Sequence, residues 1–375
     1  MKSIILKTTT LLLFFTQIGF ANQSIIEEKE KNQTIKMAIL LDTSNSMDGL
    51  IDQAKAQLWG IINELSYAKY GMKKPNLEIA LYEYGNANLP SEEGFIRMVL
   101  QFTSDLDEIS EKLFSLKTNG GSEFCGQVID TAVKELSWGK NEEDLKLLFI
   151  AGNEPFTQGN VNYKEAIASA KEKGILINTI FCGDYSNGIS AMWKDGAELG
   201  KGDYMTIDHN KKMVHIVTPY DDEIIILNKR LNATYIYYGK KGSENKSKQY
   251  EQDVNAAKLN EMVIVSRTIS KSSRLYDNAS WDLVDAMKKN SVDLEKIDTK
   301  LLPEELQKKS VKEIKEYVAK KSEERKTIQD KITELDAKRR KFITEKNLET
   351  SQKEVLDNVM IQAIKKQAIS KNYSW

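Results

Sequence analysis

The chain has 375 residues, of which 41% are hydrophobic, so it is long enough to bury a core of ordinary domain size and to add further elements. Its 54 basic and 55 acidic residues nearly cancel, which excludes a protein that binds nucleic acid or another polyanion through its overall charge. Any preference for a partner must therefore come from a local site.

Residues 1–21 have the pattern of a secretory signal peptide. Lys2 and Lys7 precede an apolar run at residues 11–15, and small residues stand just before position 22. The alternative, a membrane anchor, needs about 20 continuous apolar residues, and Gln17 interrupts the run too early. No cysteine follows the run, which argues against a lipid anchor. We therefore predict export, most simply to a periplasm, with residues 22–33 as a linker.

Short apolar runs alternate with helical spacing from residue 34 to residue 210. This alternation predicts an α/β fold, with a doubly wound, mostly parallel six-stranded sheet that helices cover on both faces. The loop between the second and third runs contains Gly85, Pro90 and Gly94 but no helical pattern, so we expect an antiparallel pair there. The predicted strands are residues 35–41, 77–84, 95–102, 145–151, 175–181 and 204–207.

The chain after residue 210 has a different character. We interpret residues 211–252 as a connector of uncertain fold, and residues 253–375, which are rich in Lys and Glu, as an α-helical region. Ser310 followed by Glu313 is typical of a capped helix start. Apolar residues in the final segment are expected to supply a second helix.

A heptad pattern follows this helix start. Its apolar positions are interrupted by Lys321, Arg325 and Arg339, which fall on the same stripe. One interpretation is a coiled coil that dimerises or engages a partner; the other is a helical hairpin packed on its own chain. We favour the hairpin because basic residues on the stripe weaken a zipper. The apolar positions are Val311, Ile314, Val318, Ile328, Ile332, Leu335 and Phe342.

Asp42, Ser44 and Ser46 form the pattern Asp-x-Ser-x-Ser directly after the first predicted strand. One carboxylate and two hydroxyls on alternate residues can converge on a small hard cation where a buried strand turns into a helix. The alternative is a helix cap, since Asp and Ser often accept hydrogen bonds from free backbone N–H groups. We favour the metal because the three oxygen-bearing residues alternate along the chain and because a downstream Gly-Gly-Ser loop also fits a metal site.

This arrangement resembles the metal-ion-dependent adhesion site of von Willebrand factor type A domains, and the resemblance covers residues 34–210. It implies that a hydroxyl from a later Gly-Gly-Thr-like loop and an aspartate after the fourth strand join the motif around Mg²⁺. Gly120-Gly121-Ser122 matches the loop, so the resemblance implies Ser122 as the third hydroxyl ligand. One interpretation of the neighbouring Glu123 is that it adds a carboxylate to the site. We favour the other, in which it faces solvent or stands in the first helical turn, where an acid suits the helix dipole.

The sequence departs from the family pattern after the fourth strand. Family members typically have Thr-Asp-Gly-Glu-Pro there, whereas this chain has Gly152 at the position of the aspartate and Asn153 beside it. Asn153 is the nearest replacement ligand, and Glu154 is expected to reach the ion only through water. Mg²⁺ is the expected ion, with Mn²⁺ and Ca²⁺ as alternatives. The implied ligands are Asp42, Ser44, Ser46, Ser122 and Asn153.

The only cysteines are Cys125 and Cys182. Export favours a single disulfide between them, and the alternative is two small buried hydrophobic side chains. Cys182 follows the fifth predicted strand and Cys125 follows the Ser122 loop, so a bond between them is expected to hold that loop near the site.

The signal-peptide pattern and the family resemblance together imply an exported, non-enzymatic protein-binding module that recognises an acidic group on a protein partner through a variant divalent-metal site. The alternative is an envelope scaffolding protein that acts through its C-terminal helices, which are also the predicted contacts of a homo-oligomer. A metal-dependent hydrolase is disfavoured because no base or nucleophile is recognisable beside the motif. His209 and His215 lack the spacing of a zinc enzyme. We expect neither a nucleic-acid partner nor a membrane span after signal removal.

Overall fold

The computed structural model describes residues 33–208, 216–347 and 356–375. The predicted signal peptide, the linker before residue 33, and both histidines lie outside the described residues.

A six-stranded sheet lies at the centre of the fold. The described residues contain eight strands in all. They are, in chain order, β1 (Thr34–Asp42), β2 (Lys69–Tyr70), β3 (Asn76–Tyr84), β4 (Ile96–Thr103), β5 (Leu145–Gly152), β6 (Ile175–Cys182), β7 (Lys201–Ile207) and β8 (Tyr373–Ser374). The sheet order is β4-β3-β1-β5-β6-β7, while β2 and β8 form a separate two-stranded ribbon. Only β4 runs antiparallel to its neighbour in the large sheet. The six predicted strands and the antiparallel edge are confirmed.

The position of β1 in this sheet brings its carboxyl end to the centre of one edge. β1 pairs with β3 on one side and with β5 on the other, in both cases parallel. Parallel neighbours need crossover connections, which place helices on both faces of the sheet. β5 is accordingly buried at every residue. The loops after β1, β3 and β5 therefore meet at one edge, where ligands of such sheets bind.

The described residues contain thirteen α-helices. They are α1 (Asp48–Ser66), α2 (Leu106–Ser115), α3 (Cys125–Glu135), α4 (Tyr163–Glu172), α5 (Tyr185–Ser190), α6 (Trp193–Leu199), α7 (Asp221–Asn232), α8 (Gly242–Leu259), α9 (Glu261–Ser272), α10 (Leu283–Lys288), α11 (Glu304–Gln307), α12 (Val311–Asn347) and α13 (Leu356–Ile369). The α-helical C-terminal region is thus confirmed. The segment that we interpreted as a connector contains α7 and most of α8.

Different helices cover the two faces of the sheet. On one face, α3, α4 and α6 enclose a core that includes Val128, Ile167 and Trp193. On the other face, α1 and α2 share one continuous core with α7, α9, α12 and α13. The helices after β7 therefore complete the core of the α/β fold on that second face.

The heptad stripe of α12 is buried on its own chain. Ile328, Ile332 and Leu335 belong to the core of the α1 face, and Ile314 and Val318 belong to a smaller adjoining core. This is the self-packed arrangement that we favoured over a coiled coil. The predicted hairpin partner is different, however, because α12 packs mainly against α7, α9 and α10, whereas α13 packs against α1 and β7.

Two basic residues on the stripe of α12 have acidic partners within the chain. Arg325 is buried, and its Nη1 donates to Asp282 Oδ2 at 2.6 Å and to Asp285 Oδ1 at 2.8 Å. Arg339 Nε donates to Asp221 Oδ1 at 3.0 Å. These residues interrupt the apolar stripe without weakening the packing, because each meets a carboxylate on a neighbouring helix.

A second buried charge network joins α8 and α9 to α2. Asp253 Oδ1 accepts from Arg267 Nε at 2.6 Å, and Asp253 Oδ2 accepts from Lys271 Nζ at 2.9 Å. Arg267 Nη1 lies 2.8 Å from Asp107 Oδ1 on α2. Burial alone would raise the pKa of Asp253, but the charges of Lys271 and Arg267 outweigh it and hold that pKa below its usual range. Burial lowers the pKa of Lys271 to about 8.

We predict that Asp253→Asn lowers the free energy of unfolding at pH 7 by about 3–5 kcal/mol, because the buried Lys271 and Arg267 each lose a carboxylate partner and Arg267 keeps only Asp107. The folded-state pKa of Asp253 is depressed, so its contribution is present above the ordinary carboxyl pKa of 3.8 and is lost as the pH falls below it. Urea unfolding from pH 3 to pH 7 should therefore show less acid sensitivity in the variant. The exposed Asp330→Asn on α12 is the control and should match the wild type.

Candidate metal site

The side chains of the Asp-x-Ser-x-Ser motif converge at the carboxyl end of β1. Asp42 is 0% exposed, and its Oδ1 accepts from the backbone N–H of Ser44 at 2.7 Å. The hydroxyl oxygens of Ser44 and Ser46 lie 3.2 Å apart. No motif side chain caps the short 3₁₀ turn Asn45–Met47 or α1. The motif side chains therefore lie close to one another and make no contact that caps the 3₁₀ turn or α1.

Asn153 joins the motif from the loop after β5. Its Nδ2 donates to Ser46 Oγ at 3.3 Å, while its Oδ1 is buried without a hydrogen-bond donor among the described residues. The amide nitrogen is thus directed at a hydroxyl and the carbonyl oxygen has no protein partner. This geometry fits the predicted role of Asn153 as a neutral oxygen ligand.

The Gly-Gly-Ser loop lies against the motif through its backbone. The Asn119 N–H donates to the Thr43 carbonyl at 2.9 Å. A Cβ at Gly121 would lie 2.6 Å from the carbonyl oxygen of Gly85, so only glycine allows this approach. Ser122 is half-buried, and within the described ranges its hydroxyl makes no hydrogen bond. Its assignment as a ligand rests on the position of the loop.

Glu123 is a residue of this edge for which we did not favour a ligand role from the sequence. We favoured solvent or the first helical turn for it, but it is only 5% exposed, and its side chain lines the same space in front of Gly85 as Asp42 Oδ1. Its backbone N–H donates to Gln158 Oε1 at 2.7 Å, which fixes the residue in the loop. The available signal was a carboxylate beside the implied third hydroxyl in a chain that lacks the usual later aspartate.

The two carboxyl groups strongly affect each other. Burial raises the pKa of Asp42, and burial together with the hydrogen bond to Asp42 raises the pKa of Glu123 to about 9. The exposed Glu154 adds a further negative charge nearby. Neither Asp42 Oδ2 nor Glu123 Oε2 has a donor among the described residues. Two carboxylates in such a position require either a shared proton or a cation.

Gly152 stands at a position where the structure has no space for a side chain. Tyr84 is fully buried, and its hydroxyl donates to the Ala151 carbonyl at 3.0 Å. A Cβ at position 152 would lie 2.4 Å from that hydroxyl and 3.1 Å from Asp42 Oδ2. The aspartate of the family pattern therefore has no room here.

The disulfide prediction is wrong for this structure. Cys125 and Cys182 are free thiols, and both are buried. Cys125 lies in the core on the α3 face, whereas Cys182 lies in the core on the α1 face, so the sheet separates them. They fit the alternative of two buried hydrophobic side chains, and burial raises the pKa of each thiol well above its usual value.

The atoms gathered at this edge suit a hard cation. Carboxylate, hydroxyl and amide oxygens are the donors that Mg²⁺ and Ca²⁺ prefer. Three of the oxygens, Asp42 Oδ2, Glu123 Oε2 and Asn153 Oδ1, are buried without a donor in the described part of the chain. No cluster of three or more His, Cys, Asp or Glu side chains suited to a metal occurs within those ranges.

The fold and this edge define an α/β domain with an oxygen-rich site at the carboxyl ends of its strands. The family model of the von Willebrand factor type A domain matches residues 37–192. Residues 37–192 are therefore similar to a von Willebrand factor type A domain, and the helical region follows them.

Several solved structures are similar to this chain. An aerotolerance-related membrane protein from Bacteroides fragilis is 20% identical, with 46% of this chain and 92% of that one covered and a TM-score of 0.32. The SpRpn10 VWA domain is 16% identical, with 46% and 87% covered and a TM-score of 0.34. The pilus adhesin SpaC from Lactobacillus rhamnosus GG is 10% identical, with 48% and 28% covered and a TM-score of 0.35.

No curated protein matches the chain. Across residues 33–208, 216–347 and 356–375, no helix combines the length and apolar character needed to cross a membrane.

We predict that Gly152→Ala destabilises the metal-free fold by about 1–3 kcal/mol, because the new methyl group meets the Tyr84 hydroxyl. The loss should be smaller in a Tyr84→Phe background, which removes that hydroxyl. Urea unfolding of the four proteins in chelator measures the coupling as a double-mutant cycle. Gly120→Ala, whose Cβ would approach no described atom closer than 3.4 Å, is the control. Equal losses in the two backgrounds would contradict the contact.

Proposed function

We propose that the chain is an exported, non-enzymatic protein-binding module that recognises a carboxylate on a protein partner through a divalent cation. The supporting observation is the convergence of buried oxygens without donors at the carboxyl edge of the sheet. The ligands that we propose are Asp42, Ser44, Ser46, Ser122 and Asn153.

The position of the site between the core and solvent supports binding of an outside group. Asp42 is fully buried at the inner side, while Asn45 and Ser46 are exposed at the outer side. An ion held between them has protein oxygens on one side and open coordination positions on the other. A partner's carboxylate can complete the shell there, because neutral hydroxyl and amide ligands leave part of the ion's charge uncompensated.

The ligand types indicate the ion, the domain family indicates the class of function, and the first residues indicate the location. Mg²⁺ is proposed first because it binds proteins through one or two carboxylates and keeps several waters, whereas Ca²⁺ takes more protein oxygens. Von Willebrand factor type A domains commonly mediate protein–protein interactions. The signal-peptide pattern of residues 1–21 supports a periplasmic or other exported location.

We predict that millimolar Mg²⁺ or Mn²⁺ raises the melting temperature of the wild-type chain relative to chelator. A ligand at 100 times its Kd that binds only the folded state adds about 2.7 kcal/mol. Asp42→Ala should abolish this response because it removes the innermost carboxylate. Asp52→Ala, an exposed aspartate on α1, is the control and should respond like the wild type. A wild type that is insensitive to both ions would refute the metal site.

We predict that the immobilised chain retains an envelope protein in Mg²⁺ and releases it on addition of chelator. Amidation of the carboxyl groups in the extract should abolish retention, because the proposed contact is a carboxylate on the partner. Asp42→Ala resin should retain nothing above background. Retention that survives both chelator and amidation would point to a metal-free interface instead.

A further inference from the structure

We infer that Glu123 supplies the second carboxylate of this metal site and takes the place of the aspartate that the family pattern has after the fourth strand. The inference rests on the proposed function, since it assigns a ligand to the proposed cation. It moves the second charge of the site from a strand end to the loop that precedes α3.

The first support is the position of Glu123 beside the motif. Its side chain is buried and lines the same space in front of Gly85 as the carboxyl group of Asp42, one of the proposed ligands. One oxygen of each carboxyl group, Asp42 Oδ2 and Glu123 Oε2, is buried without a donor. A cation that contacts both oxygens would satisfy both groups with one ion.

The second support is the space that two glycines leave around this pair. A Cβ at Gly85 would lie 2.7 Å from Glu123 Cγ and 2.8 Å from Asp42 Oδ1. A Cβ at Gly152 would lie 3.1 Å from Asp42 Oδ2. The backbone after β5 therefore has no room for a side chain at Gly152. The buried carboxylate beside Asp42 comes instead from Glu123, in the loop before α3.

The third support is the way the backbone of Glu123 is held. Its N–H donates to Gln158 Oε1, while the preceding Asn119 N–H binds the Thr43 carbonyl within the motif. The loop is thus fixed both to the strand that carries Asp42 and to the segment after β5. Such fixation lowers the entropic cost of placing a ligand.

Charge counting separates Glu123 from its neighbour Glu154. Asp42 alone supplies one negative charge against the two of a divalent cation, and Glu123 supplies the second from a buried position. Glu154 is exposed, and its side chain forms none of the hydrogen bonds found among the described residues. A structural alternative remains for Glu123, in which its carboxyl group only braces the loop by a hydrogen bond to Asp42.

The test compares Mn²⁺ affinity by titration calorimetry with the stability of the same proteins in chelator. Glu123→Gln keeps the size of the side chain and removes its charge. It should weaken Mn²⁺ binding by at least about 10-fold, the lower limit found for groups that only support a metal ligand. In chelator it should be as stable as the wild type or more stable, because an amide can donate to Asp42. Glu154→Gln is the matched control and should bind within about 3-fold of the wild type.

The outcomes separate this inference from the proposed function. If Glu123→Gln binds Mn²⁺ like the wild type while Asp42→Ala does not bind, the metal site stands and Glu123 is not a ligand. If Glu123→Gln is destabilised in chelator and its loss of Mn²⁺ binding follows from unfolding, Glu123 only stabilises the loop and the inference fails. If the wild type does not bind Mn²⁺, the inference and the metal site both fail.

Discussion

The burial of Asp42 is the constraint around which the carboxyl edge of the sheet is arranged. Its carboxyl group ends a central strand, is 0% exposed and shares the space in front of Gly85 with the buried side chain of Glu123. A pair of this kind is costly in a low-dielectric interior unless a proton or a cation lies between its members. A side chain at Gly85 or at Gly152 would enter the space that this pair occupies. The Tyr84 hydroxyl and the fixed loop border the same space.

Buried charge is used in a second way by the C-terminal helices. Arg325 and Arg267 are both buried, and each binds two carboxylates on other helices. Pairs of this kind contribute little net stability compared with apolar packing, but breaking one leaves an unpaired charge in the core. The partners therefore constrain which helix faces can meet, and they favour packing of α12 on its own chain over pairing with a second copy.

The central strands were predictable because continuous apolar runs such as Leu145–Gly152 have one interpretation in an alternating α/β pattern. The motif residues were predictable because Asp42, Ser44 and Ser46 are adjacent in sequence. Glu123 was not, because its environment depends on how two distant loops meet, and a glutamate beside glycines usually faces solvent. The disulfide prediction failed for a similar reason, since residue spacing does not show on which face of the sheet a cysteine lies.

The shared core on the α1 face has a consequence for how the two parts of the chain can be changed. Residues of α1 pack against the sheet on one side and against α9 and α13 on the other. A change of side-chain volume on α1 must therefore be tolerated by segments about 200 or more positions away in sequence, whereas α3 and α4 pack in a core formed by the sheet and by nearby segments such as α6. The α/β fold and the helices that follow it are thus one packing unit on this face, and replacing either part would require matching changes in the other.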